Sequence, residues 1–124
     1  MKRKNKGFTL IELIVSITII AVLTVVGVVS YGGASKKARD SRRMADLEKI
    51  RIALELYRQG TGSTYPVNLT SLTTNPVYLQ AIPVGPKGVG VGDTYSYTKG
   101  IGGYTYILKT NLEETGVVYS VTNP

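Results

Sequence analysis

The stretch KGFTLIELIVSITIIAVLTVVGVVSYGG, from Lys6 to Gly33, decides how the rest of the chain is read. A basic leader, Met1 to Gly7 with Lys2, Arg3, Lys4 and Lys6, runs directly into apolar residues that begin at Phe8. Between Phe8 and Tyr31 the only charged side chain is Glu12, and there is no proline. At ~1.5 Å per residue these roughly 24 residues make a helix about 36 Å long, enough to cross a hydrocarbon layer of ~30 Å. Residues 8–31 are therefore expected to form a membrane-spanning helix.

Glu12 is the anomaly in that helix, because a carboxylate in lipid is costly unless it is paired, protonated or near the surface. Two readings stand. If the chain were cut between Gly7 and Phe8, the new α-amine of Phe8 would supply a positive charge one helical turn away, in the same helix or in a neighbouring copy. Otherwise Glu12, about 6 Å below the helix start, reaches up to the headgroups.

The leader ending in Gly7, followed by Phe8-Thr9-Leu10-Ile11-Glu12-Leu13, resembles the processing site of type IV prepilins and of type II secretion pseudopilins, and the likeness runs to about Tyr57. The resemblance implies that a membrane-embedded peptidase cuts after Gly7 and methylates the amine of Phe8. It further implies that Glu12 neutralises the Phe8 amine of an adjoining subunit. Leu10, Ile11, Leu13 and Ile14 would then pack against neighbouring helices in a homopolymer. The family keeps the leader in the cytoplasm and sends the C-terminal part outward, so a single-pass protein of the bacterial cytoplasmic membrane is implied, later an extracytoplasmic filament. A secretory signal peptide is the rival reading, with cleavage after the apolar run near Gly32 or Ala34.

With 124 residues the chain has single-domain length, and loss of the seven-residue leader would leave 117. The leader holds four of the 15 Lys and Arg, so cleavage leaves 11 against 8 Asp and Glu, and the net charge falls from +7 to +3. Most of that excess sits in KKARDSRR, Lys36 to Arg43, which reads as headgroup attraction ahead of DNA binding. Cysteine and histidine are both absent, which removes disulfides, thiolate nucleophiles and the commonest general base. No enzyme is expected.

After Gly27, Ser30, Gly32 and Gly33, which predict a bend or soft segment, the pattern is helical again to Arg58. Leu47, Ile50, Leu54 and Tyr57 share one face, predicted to meet a sheet. Ala45, Ile52 and Leu56 form a narrower stripe on the opposite side, predicted to meet another subunit's helix. Tyr65-Pro66 begins a loop, and Asn68 is a cap for a short helical turn through Leu69 and Leu72. Leu69, Leu72, Leu79 and Ile82 are expected beneath that loop. The segment Val84 to Asp93 is glycine-rich without the spacing of a phosphate-binding loop.

The period then changes to two over Thr94–Lys99, Tyr104–Thr110 and Val117–Thr122, predicting three antiparallel strands. Tyr95, Tyr97, Tyr104, Tyr106, Leu108, Val117, Tyr119 and Val121 fall where they can all face the helix. The expected fold class is thus α+β: leader 1–7, membrane or filament-core helix 8–31, and a soluble domain 34–124 whose helix packs on a small three-stranded sheet. Tyr78-Leu79, Ile82-Pro83 and Leu112-Glu113 extend the resemblance downstream. Major pseudopilins often bind calcium beyond Ile-Pro, where Asp-Pro is usual, but here Gly85-Pro86 stands and Asp93 is the one nearby carboxylate. No cofactor or metal is expected, calcium being ranked below the metal-free reading.

The expected function is a filament subunit of a pilus or pseudopilus. The alternatives are a monomeric membrane-tethered binding module and a DNA-binding uptake pilin using Lys36 to Arg43. The implied partners are other subunits, the prepilin peptidase and methyltransferase, and membrane lipids before assembly; nucleic acid ranks below these.

Overall fold

The computed structural model describes residues 7–88 and 94–123, and the predicted leader falls largely outside that range. Its elements are helix α1 (Leu10–Thr61), a 3-10 turn (Leu69–Leu72), strand β1 (Ser96–Lys99), a second 3-10 turn (Ile101–Gly103), β2 (Tyr106–Asn111) and β3 (Val118–Thr122). The chain divides into two compact units, Met1–Ser35 and Lys36–Pro124.

In the first unit the described residues from Leu10 onward form apolar helix, and none of them is buried. It contains a stretch long and apolar enough to cross a membrane, and none of that stretch is buried. Three of its hydroxyls are satisfied within the helix: Ser16 donates to the Glu12 carbonyl, Thr18 to that of Ile14 and Thr24 to that of Ile20, each at 2.7 Å. That suits a lipid environment, which offers a polar group no other partner. Helix α1 continues through Gly27, Gly32 and Gly33, where the sequence predicts a bend. A glycine costs only about 1 kcal/mol relative to alanine, too little to break a helix whose other residues keep their bonds.

In the second unit the predicted helix face is the core. Leu47, Ile50 and Leu54 are fully buried, joined by Ala53, Tyr65, Leu72, Tyr106 and Leu108. Each buried aliphatic of that size contributes about 1.5–3 kcal/mol. Tyr57, Leu69, Leu79, Tyr95, Tyr97, Tyr119 and Val121 pack around them. The sheet has the order β1-β2-β3, both pairs antiparallel, with Tyr97 opposite Leu108 and Leu108 opposite Val121. Asn68 caps its turn as expected, its side chain accepting the N–H of Ser71.

Tyr104, assigned to the helix–sheet core, is 62% exposed. Gly102 and Gly103 take positive φ, the hairpin closes in a 3-10 turn, and Tyr104 has helical backbone angles at its end. The strand alternation that would point Tyr104 inward begins only at Tyr106. Val117 likewise precedes β3 and is exposed. Conversely Tyr65, read from sequence as the start of a loop, is 1% exposed and meets Tyr106 edge to face at 4.6 Å.

Candidate functional site

At the start of α1 the chain forms a reciprocal cap. The Thr9 N–H and hydroxyl donate to one oxygen of Glu12 at 2.8 and 2.9 Å, while the Glu12 N–H faces the Thr9 hydroxyl at 3.3 Å. This is a capping box, Thr-x-x-Glu, which satisfies N–H groups that a helix end leaves open. The sequence carried that signature, although Glu12 is read there only by its charge. One carboxylate oxygen is engaged by Thr9, and Gly7 and Phe8 lie just outside the helix, with Phe8 89% exposed. Leu10, Ile11, Leu13 and Ile14 are all exposed beside it. Gly7, Phe8, Thr9 and Glu12 are thus gathered at one helix end, with an uncovered apolar surface following.

In the second unit the stripe Ala45, Ile52 and Leu56 is left exposed by the described residues; Ile52 is 50% and Leu56 46% exposed. Ion pairs flank the stripe along the helix, Arg51 with Glu48 at 2.8 Å and Arg58 with Glu55 at 3.3 Å. Glu55 also accepts the Tyr65 hydroxyl at 2.7 Å. Burial and then that bond raise the Tyr65 phenol to about 12.

The reading of Lys36 to Arg43 as a headgroup-facing run does not hold for Arg39 and Arg43. Arg39 grips the Glu113 carboxylate through Nε at 3.0 Å and Nη2 at 2.8 Å. Arg43, 2% exposed, pairs with Asp40 at 2.7 Å and with Glu113, and Lys87 reaches Glu113 at 2.9 Å. Asp40 in turn accepts the backbone N–H groups of Glu113 and Glu114 at 2.8 and 2.9 Å. Arg43 and Asp40 are buried because α1's inward face runs on upstream: the spacing of Leu47, Ile50 and Leu54 carried backwards lands on them, while Arg39 at its margin is half-buried. That periodicity was the signal available in the sequence. Lys36, Lys37 and Arg42 remain exposed.

The hydrogen bonds of Arg39, then Lys87 and Arg43, hold the Glu113 carboxyl well below its ordinary range. For Asp40, burial opposes ionisation, but the two N–H donors and Arg43 outweigh it and the carboxyl is lowered. Asp46, also buried, accepts the Tyr95 hydroxyl at 2.9 Å and Lys49 at 3.0 Å. Among the described residues no three Asp, Glu, His or Cys side chains gather as a metal site; Asp93 lies outside them.

Residues 2–28 match the prokaryotic N-terminal methylation motif. Over 100 residues the chain is 29% identical to the type II secretion system core protein G of Vibrio cholerae serotype O1 (strain ATCC 39315 / El Tor Inaba N16961), covering 69% of this chain and 68% of that protein. No solved structure matches. The motif and this similarity support a type IV pilin or pseudopilin, and with it a structural filament subunit anchored by an N-terminal apolar helix.

Proposed function

We propose that the chain is made as a membrane-anchored precursor, cut after Gly7, methylated on the Phe8 amine, and polymerised through α1 into a pilus or pseudopilus. The observation that carries this is the placement of Gly7, Phe8 and Glu12 together at the start of a helix whose large apolar side chains are uncovered as far as Tyr31. Cleavage creates a cation where only a peptide bond stood. In lipid, the Glu12 carboxylate of one subunit and the Phe8 amine of the next neutralise each other, which removes a desolvation cost that each bears alone. The uncovered aliphatics then exchange lipid for neighbouring helices, and Ala45, Ile52 and Leu56 extend that contact above the membrane. The leader stays cytoplasmic and the sheet-bearing unit faces outward.

Intact mass in cells with and without the prepilin peptidase tests this reading. The expected product has lost seven residues and gained one methyl group on Phe8. A product that still begins at Met1 in peptidase-positive cells overturns it.

A further inference from the structure

Arg42 and Lys49 rim a groove of about 550 Å³ between α1 and the segment Tyr78 to Val84, floored by Asp46, Leu79 and Pro83. Asp46 spends one oxygen on Lys49 and the other on Tyr95, and meets Arg42 Nε only at 4.0 Å. The Arg42 side chain is 65% exposed, and a guanidinium carries five donors in a fixed fork that suits a carboxylate. The groove therefore has one more positive charge than negative, and an arginine with most of its hydrogen-bonding capacity unspent.

Of the described carboxylates, those of Glu12, Asp40, Asp46, Glu48, Glu55 and Glu113 all have partners. Glu114 is exposed, and among the described residues its side chain has neither a cation nor a donor. It is nonetheless held in place, since its N–H is fixed by Asp40 and its turn is closed by the Gly116 N–H on the Leu112 carbonyl at 3.1 Å. A charge presented on an ordered turn loses little further freedom on binding. Within one copy, Lys49 stands nine positions along α1 from Asp40, about 13 Å of helix rise away.

We infer that the occupant of this groove is the Glu114 turn of a second copy of the chain, its carboxylate seated on Arg42 beside Lys49. The inference rests on the filament reading above and names a contact within it. The two complementary patches are different parts of the surface, so the contact is head to tail, and each copy offers a groove to one neighbour and a turn to another. Contacts of that kind generate open filaments when the rotation does not close.

The test uses the full-length chain in peptidase-positive cells. Glu114→Lys and Arg42→Glu should each lower pelletable filament on the order of tenfold, and the two together should restore most of it. The chain has no cysteine, so Glu114→Cys combined with Lys49→Cys gives a clean second measurement. Under mild oxidation of filaments the pair should yield a ladder of linked multimers, and either single variant nothing beyond a dimer. Undiminished filament from Glu114→Lys overturns the inference and leaves the filament reading intact. So does a ladder that forms only when Lys36→Cys, Lys37→Cys or Lys109→Cys replaces Lys49→Cys. Absence of any filament from the processed parent chain takes down the filament reading, and this contact with it.

Discussion

Asp40 accepts the backbone N–H of Glu113 at 2.8 Å across 73 positions of chain, and in doing so a helix side chain caps the turn between β2 and β3. Its other oxygen takes the next N–H, and Arg43 closes the arrangement. The turn is thereby fastened to α1 by charge-assisted bonds rather than by apolar packing.

Replacing Asp40 with alanine takes one carboxylate from the buried Arg43 and frees two N–H groups. Removing one member of a buried pair costs about 3–5 kcal/mol. The denaturant midpoint of the full chain in detergent should fall accordingly at unchanged slope.

Acid should act on the same cluster. Both Asp40 and Glu113 bind protons less readily in the fold than at their ordinary values of 3.8 and 4.5. The stability they supply is therefore complete above about pH 4.5 and is lost as pH falls toward the lowered folded-state values. Glu113→Gln should be less stable than the parent near neutral pH and should lose less on acidification, measured as denaturation midpoint against pH.

Two buried tyrosines should respond differently to loss of the hydroxyl. The Tyr65 hydroxyl holds Glu55, so Tyr65→Phe should cost about 1.5–3 kcal/mol, the range for a bond to a charged group. Among the described residues the buried Tyr106 hydroxyl has no partner at hydrogen-bond geometry. Tyr106→Phe should leave the melting temperature unchanged or raise it, because an unsatisfied polar atom is removed.

Glu12→Ala should abolish filament assembly while leaving removal of the leader largely intact, read by electron microscopy and intact mass on the same cells. A bulky residue at Gly7 should block removal of the leader itself. Normal filaments from Glu12→Ala would release Glu12 from its proposed role.

Gly103 is buried at φ +80°, and a Cβ there would come within 2.6 Å of Lys99. Gly103→Ala should cost about 1–2 kcal/mol or more, whereas Ala at Gly27, which has open space, should not impair helix formation. Circular dichroism melts of both variants distinguish them.

The elements set by long periodicity were readable from the residues alone. Leu47, Ile50 and Leu54 lie on the buried face, and β2 and β3 place Tyr106, Leu108, Tyr119 and Val121 against it. What escaped was decided by backbone geometry or by pairing across the chain. Tyr104 keeps the right parity for a strand, but two left-handed glycines take its segment out of the sheet. Arg39 and Arg43 look like a solvated basic run because nothing local reveals that Glu113, some 70 positions on, waits opposite them. Tyr65 sits beside a proline in a polar stretch, and only the closed hairpin supplies the ring that covers it.

Along α1 the side chains hidden from solvent begin at Asp40 and run to Leu54, and the rest of the interior comes from residues still further on. A stalk severed ahead of Lys36 would therefore take no interior side chain with it. The remaining head should be a freely soluble fragment that folds unaided, a convenience for crystallisation that follows directly from where concealment starts.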